Sequence, residues 1–235
     1  MALSDTRREY NLGGLDRDDL AADPLAQFTR WFGDVSASRG RSRLRRIGIA
    51  LYDLWHAVLG HPPVDVNAMV LATADRHGVP SARTVLLKGA DARGFTFFTN
   101  YDSRKGRELA ENPHAALAFF WPGLERQVLV SGEVSKLPAA ESERYFRSRP
   151  RGSRIAAWAS NQSAPVPDRA AIEARWRDTT VQFPGEDVPL PPNWGGFLLW
   201  PRRIEFWQGR PNRLHDRFCY TRAADGVWTI ERLAP

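Results

Sequence analysis

Near the C-terminus, Asn212-Arg213-Leu214-His215-Asp216-Arg217 sets two arginines and a histidine at alternating positions, shortly after the aromatic pair Phe206-Trp207. In an extended chain, residues 213, 215 and 217 share one face. Two guanidiniums beside an imidazole can seat an anionic ligand such as a phosphorylated molecule; the same residues at a solvated strand end are ordinary surface charge.

Three further stretches bear on that choice. Arg83-Thr84-Val85-Leu86-Leu87-Lys88 is a β-branched, apolar run with a cation at each end. It offers a wall for a flat ring such as a flavin and cations for its phosphate, although charged ends also protect plain edge strands. Phe97-Phe98-Thr99-Asn100 leads into Ser103-Arg104-Lys105, where free N–H groups, a hydroxyl and two cations at a helix start would suit a phosphate or simply cap a surface helix. Glu125-Arg126-Gln127 opens a strand, and Tyr145 and Arg149, four apart, can share a helical face with Ser153 beyond the break at Pro150. That set could hold a second phosphate or be a solvated basic helix end.

The elements that must carry these residues follow from periodicity. Residues 1–23 form a polar arm, then Asp23 and Pro24 open a helix with Leu25, Phe28, Trp31 and Phe32 on one face. A basic run from Arg39 to Arg46 precedes Ile47 to Leu59, whose apolar spacing predicts an amphipathic helix. Such a helix within 39–60 could meet an anionic membrane surface or a partner, though packing on its own domain is the commoner outcome.

From residue 68 the period changes to two. Strands are expected at 68–74, 81–88, 95–100, 115–121 and 126–137, with turns at 75–78 and 89–94 and a helix from Ser103 to Glu111. Helices follow at about 139–148, 152–160 and 168–182, and strands at about 196–200, 202–208, 216–222 and 227–232. Many short antiparallel strands without βαβ alternation predict a barrel, mainly β with added helices (α+β), as one domain over residues 1–235.

Composition narrows the chemistry. Thirty arginines against three lysines give most of the positive charge and a net +6, but the basic residues are scattered without a repeated aromatic-basic module, which disfavours nucleic acid. Two of those lysines, Lys88 and Lys105, fall inside the motifs above. A single cysteine, Cys219, excludes an intrachain disulfide and a multi-cysteine zinc site, and the dispersed histidines give no metal-ligand spacing. With no apolar leader or span, the expected compartment is the cytoplasm.

The ordered set Arg83 to Lys88, Thr99-Asn100, Ser103-Arg104-Lys105, Glu125 to Val128, Tyr145 to Pro150, Gln162-Ser163, Trp194-Gly195-Gly196, Glu205 to Gly209, Arg213 to Arg217 and Glu231 to Pro235 resembles the pyridoxamine 5′-phosphate oxidase family. Arg7 to Tyr10 and Gly13 to Leu15 resemble its opening segment, while about 36–64 reads as an insertion of some two dozen residues.

The resemblance implies an antiparallel, Greek-key-like split β-barrel and a homodimer with FMN at the subunit interface, the C-terminal strands 194–235 completing the site. Arg83, Thr84, Val85, Leu86, Leu87, Lys88, Phe98, Thr99, Arg104, Lys105 and Gln127 would bind FMN from one subunit, with Gln162, Ser163, Trp207 and Arg217 from the other. Lys88, Tyr145, Arg149 and Ser153 would hold the substrate's phosphate. Arg213 and His215, with Leu214, would enclose the pyridine ring as the catalytic pair, and Arg7, Arg8, Glu9 and Tyr10 would form a lid.

The implied reaction oxidises pyridoxamine or pyridoxine 5′-phosphate to pyridoxal 5′-phosphate, with O2 as acceptor, releasing H2O2 and, from the amine, ammonia. Two other readings share the pocket. One is a related flavin oxidase acting on phenazine precursors, which would not need the phosphate set. The other is a non-enzymatic binder of flavin or pyridoxal phosphate.

Overall fold

The structure is a computed structural model and describes residues 9–40 and 65–235. The expected amphipathic helix at 47–59, and Arg7 and Arg8, lie outside the described residues. Nine strands form one antiparallel sheet: β1 (Ala68–Ala74), β2 (Pro80–Leu86), β3 (Gly89–Asp91), β4 (Gly94–Asn100), β5 (His114–Trp121), β6 (Arg126–Lys136), β7 (Trp194–Gln208), β8 (Asp216–Arg222) and β9 (Trp228–Leu233). Among the described residues five α-helices accompany them: α1 (Pro24–Gly40), α2 (Arg104–Glu111), α3 (Ala139–Ser148), α4 (Arg151–Ala159) and α5 (Arg169–Gln182). The class is α+β, and the curled sheet is a split barrel.

The curl follows from connectivity. The main path runs β2-β1-β5-β6-β7-β4-β3, so β2 and β3 stand at its opposite ends. Only Leu87 and Lys88 separate them in sequence, which forces the sheet to bend back on itself. At that corner Leu87 N donates to Asn67 O at 2.8 Å on the β1 side, and Lys88 N donates to Thr96 O at 2.8 Å on β4.

Strict alternation fills the interior: Met69 and Leu71 of β1, Leu117 and Phe119 of β5, and Val128 and Val130 of β6 are all buried. Helix α1 closes one end of the barrel. Asp23 Oδ1 accepts from Leu25 N at 3.1 Å, and Phe28, Trp31 and Val35 are buried while Leu25 and Phe32 pack at the margin. Phe28 meets Phe95 edge-on at 4.9 Å and Trp31 meets Phe206 at 5.2 Å; burial of each ring contributes about 2–3 kcal/mol.

Strand β7 differs from expectation and organises the molecule. Instead of two strands broken at Pro201, it runs unbroken for 15 residues. One edge pairs with β6 over Phe197–Gln208; the other pairs with β4 over Trp194–Leu199 and with β8 over Arg203–Gln208. Pro201, which has no N–H for a ladder, is accommodated where the β6–β7 register slips by one residue beside Gly132. A side chain on Gly132 would collide with the Trp200 carbonyl.

Other boundaries also shift. Gly89–Asp91 is a short strand rather than part of a turn. The alternation assumed for 213, 215 and 217 does not exist: Pro211–Arg213 is a 3-10 turn with Asn212 at φ 56° and Arg213 at φ 63°, and β8 starts only at Asp216. Helix α3 stops at Ser148 and leaves Arg149 extended (φ −75°, ψ 146°), so Tyr145 and Arg149 do not share a helical face. No helix among the described residues is long and apolar enough to cross a membrane.

Candidate functional site

An open cleft of about 780 Å³ lies against β2, the end of β4, the start of α2 and the α3–α4 junction. Among the described residues five cations line it, Arg83, Lys88, Arg104, Lys105 and Arg149, and no carboxylate does.

One group of contacts is built around the start of α2. Ser103 caps the helix by accepting from Gly106 N at 3.3 Å. The Lys105 ammonium, 8% exposed, donates to Thr99 Oγ1 at 3.1 Å, Ser103 Oγ at 3.0 Å and Gln162 Oε1 at 2.9 Å. Burial, then repulsion from Arg83, pushes its pKa down to about 8 against the opposing pull of Glu108. Ser163, held at φ 72°, accepts from the helix-start amide of Arg104 at 3.2 Å. A buried ammonium and a helix N-terminus thus meet at one place, where their positive charge favours an anion.

A second group is aromatic and cationic. The rings of Phe98 and Tyr145 stack at 3.9 Å, and Trp194 lies nearly parallel to both, 5.7 Å from Phe98 and 6.1 Å from Tyr145. Arg149 places its guanidinium 4.6 Å from the Trp194 ring, and Lys88 Nζ sits 5.9 Å from that of Tyr145. Among the described residues Arg149 Nη1 is buried without a hydrogen-bond partner, and burial holds the Arg149 pKa below the usual arginine range. Ser153, on the first turn of α4, completes this wall.

The remaining expected residues gather elsewhere. Gln127, Trp207 and Arg217 lie side by side across β6, β7 and β8. Tyr10 meets Trp207 edge-on at 5.5 Å and His215 at 5.8 Å, and Trp207 lies 4.6 Å from His215. His215 Nδ1 accepts from Arg210 N at 3.1 Å; burial, then the charges of Arg213 and Arg217, lower its pKa, with Asp216 opposing. Arg217 donates from Nε to Glu205 at 2.8 Å and from Nη1 to Ala234 O at 2.9 Å. Arg213 and Leu214 are exposed.

The arm, with little reason to be ordered alone, is held by this cluster. Asn11 N and Leu12 N donate to Glu125 Oε2 at 2.8 and 2.9 Å, Leu15 N to Asp216 Oδ2 at 3.1 Å, and Arg210 Nη1 to Gly13 O at 2.9 Å. Glu9, at the exposed edge, precedes Tyr10, whose ring fills the space a side chain on Gly209 would need.

Sequence-predicted residues thus separate into two places. Arg83 to Leu86, Lys88, Phe98, Thr99, Arg104, Lys105, Tyr145, Arg149, Ser153, Gln162 and Ser163 line one cleft. Gln162 and Ser163, expected from a second subunit, reach the cleft of their own chain. Leu87 is buried in the core at the barrel corner. Ser81, Ala82, Pro150 and Trp194 line the cleft as well, and of these only Trp194 carries a signal in the sequence, the motif Trp194-Gly195-Gly196.

Known proteins resemble this chain over most of its length. Residues 64–182 match the family described as pyridoxamine 5′-phosphate oxidase, and residues 194–235 match the pyridoxine 5′-phosphate oxidase C-terminal dimerisation region. The chain is 53% identical over 234 residues to the pyridoxine/pyridoxamine 5′-phosphate oxidase of Ralstonia pickettii, covering 100% of this chain and 99% of that one. The extra length near 36–64 is therefore shared with that relative and is not peculiar to this chain.

Among solved structures, PhzG from Burkholderia lata in complex with tetrahydrophenazine-1-carboxylic acid superposes with a TM-score of 0.78 at 28% identity, covering 93% of this chain and 95% of that one. A pyridoxamine 5′-phosphate oxidase-related, FMN binding protein from Nostoc punctiforme shares the fold at a TM-score of 0.60 and 19% identity, with 81% and 97% covered. A barrel with a cation-lined cleft, two matching family regions and a full-length relative above half identity lead to one conclusion: this chain belongs to the pyridoxamine 5′-phosphate oxidase family.

Proposed function

We propose that the chain is an FMN-dependent oxidase that converts pyridoxamine or pyridoxine 5′-phosphate to pyridoxal 5′-phosphate, with O2 as electron acceptor and H2O2 as product; from the amine, ammonia also leaves and one water supplies the aldehyde oxygen. The observation that carries this reading is Arg149. A buried guanidinium nitrogen with no hydrogen-bond partner among the described residues, beside Lys88, Tyr145 and Ser153, is a costly arrangement that a bound phosphate would satisfy.

The cleft's other cations fit FMN. Arg83, Arg104 and Lys105, with the start of α2, would take its phosphate, and Val85, Phe98 and Thr99 would flank the rest; Gln162 and Ser163 keep Lys105 and the α2 amide in place. FMN, when bound, supplies the hydride acceptor and the route for electrons to O2. The protein's own part is to orient the substrate, hold its phosphate and exclude water.

A homodimer is part of the proposal. Trp194 and Trp207 lie near opposite ends of β7, separated by up to about 40 Å of strand; in a dimer Gln127, Trp207, Arg213, Leu214, His215 and Arg217 would serve the partner's cleft. The dimerisation-region match and the exposed row Val70, Leu86 and Phe120 on the outer face of β1, β2 and β5 support this. There His215, its Nδ1 already occupied, would present Nε2 to the ring, Arg213 would balance charge on it, and Tyr10 with Glu9 would cover it.

The likeness to PhzG supports a second reading, oxidation of a phenazine-type precursor, for which Lys88, Tyr145, Arg149 and Ser153 would have no phosphate to bind. The test is an air-free absorbance titration with pyridoxamine 5′-phosphate. Flavin bands that bleach and recover in air establish the proposal. Flavin that stays oxidised directs attention to the phenazine-type oxidase or to a carrier of flavin or pyridoxal phosphate.

A further inference from the structure

Facing the cations at the start of α2 is a carboxylate with no role in the reading above. The Glu108 side chain is 6% exposed. Its Oε1 accepts from Arg104 Nε at 2.8 Å, and its Oε2 accepts from Ser81 Oγ at 2.6 Å and Arg83 Nη2 at 3.2 Å, with Thr73 Oγ1 donating as well. These donors come from β1, β2 and α2 itself, so one carboxylate fastens three elements around one part of the cleft. Burial raises its pKa, yet the bonds from Ser81, Thr73 and Arg104 and the Arg83 charge outweigh burial and bring it to about 2. Three cations and this one carboxylate leave two positive charges, the complement of a phosphate dianion.

We infer that Glu108 is a positioning residue for the flavin phosphate: its two oxygens set the reach of Arg83 and Arg104 and trim the local charge to match a dianion. This rests on the flavin reading of the cleft. A carboxylate that only held the fold together would influence all flavins alike, whereas a phosphate-positioning one discriminates FMN from riboflavin, which lacks the phosphate.

The experiment titrates the full chain, stripped of flavin, with FMN and with riboflavin, following flavin fluorescence in wild type, Glu108→Ala and Glu108→Gln. Glu108→Ala should raise the Kd for FMN at least about tenfold and leave that for riboflavin within about twofold. Glu108→Gln should fall between, because an amide offers one acceptor where two sets of donors converge. An unchanged Kd for FMN, or equal weakening of both flavins, overturns the inference. Should Glu108→Ala fail to fold, the FMN-to-riboflavin ratio in Glu108→Gln decides, and a wild-type ratio there overturns it. Wild type that binds neither flavin removes the flavin reading itself, and the inference with it.

Discussion

Replacing Arg149 with methionine should move stability and substrate binding independently, which separates a binding residue from a structural one. Methionine keeps most of the apolar stem that lies over Trp194 and removes the guanidinium. Loss of the cation–π contact at 4.6 Å costs about 0.5–2 kcal/mol. Against this, Nη1 is buried without a partner, and deleting such a group returns about 1–3 kcal/mol. The ligand-free protein should therefore melt within a few degrees of wild type, at about 2–4 °C per kcal/mol for a chain of this size. Binding of a phosphorylated substrate should suffer, since one charge-assisted hydrogen bond contributes about 1.5–3 kcal/mol, or about 10- to 100-fold in KM. Differential scanning fluorimetry of the flavin-free protein and oxygen-consumption kinetics with pyridoxamine 5′-phosphate provide the two readings. A melting point lowered by ten degrees with KM unchanged would refute the reasoning and make Arg149 a structural clamp on Trp194.

Three further outcomes are expected. Lys105 is held down to about 8; below that value it is protonated with or without ligand, and above it phosphate binding recaptures the proton. The Kd for FMN should then rise with pH above 8 by up to about tenfold per unit, and Lys105→Met should flatten the profile. Phe120, 50% exposed, should as glutamate shift the protein from dimer to monomer by light scattering and reduce flavin retention; a persisting dimer would place the interface elsewhere. Arg213→Gln should lower kcat/KM at least about tenfold while flavin content stays near wild type, and equal loss of both would end the division of roles between Arg213 and the flavin-binding residues.

Much of the fold was legible because local rules and tertiary packing agreed. Period-two alternation gave β1, β5 and β6, and Ser103 capped α2 as its hydroxyl suggested. The segment 212–217 misled because alternation assumes extended backbone, while Asn212 and Arg213 adopt left-handed conformations set by the turn after β7. Pro201 suggested a break because sequence cannot show that a partner strand will supply a bulge beside Gly132. Glu108 was overlooked since Arg104 and Glu108 at i,i+4 look like an ordinary surface pair; only the approach of β1 and β2 buries the carboxylate. Arg149 was chosen for a helical face it does not share with Tyr145, and it reaches the cleft because the chain leaves the helix just before it.

Because β7 carries Trp194 at one end and Trp207 next to the other, the two-chain reading divides each reaction centre between lesions that need not reinforce one another. A chain damaged in Arg149 still offers a sound Arg213 and His215, and a chain damaged in Arg213 still offers a sound cleft. Co-expressed, two silent alleles would recreate one whole centre in every mixed dimer, about a quarter of the full complement under random pairing in a two-fold assembly. A single strand spanning both halves of the machinery thus makes the gene open to complementation between its own defective copies.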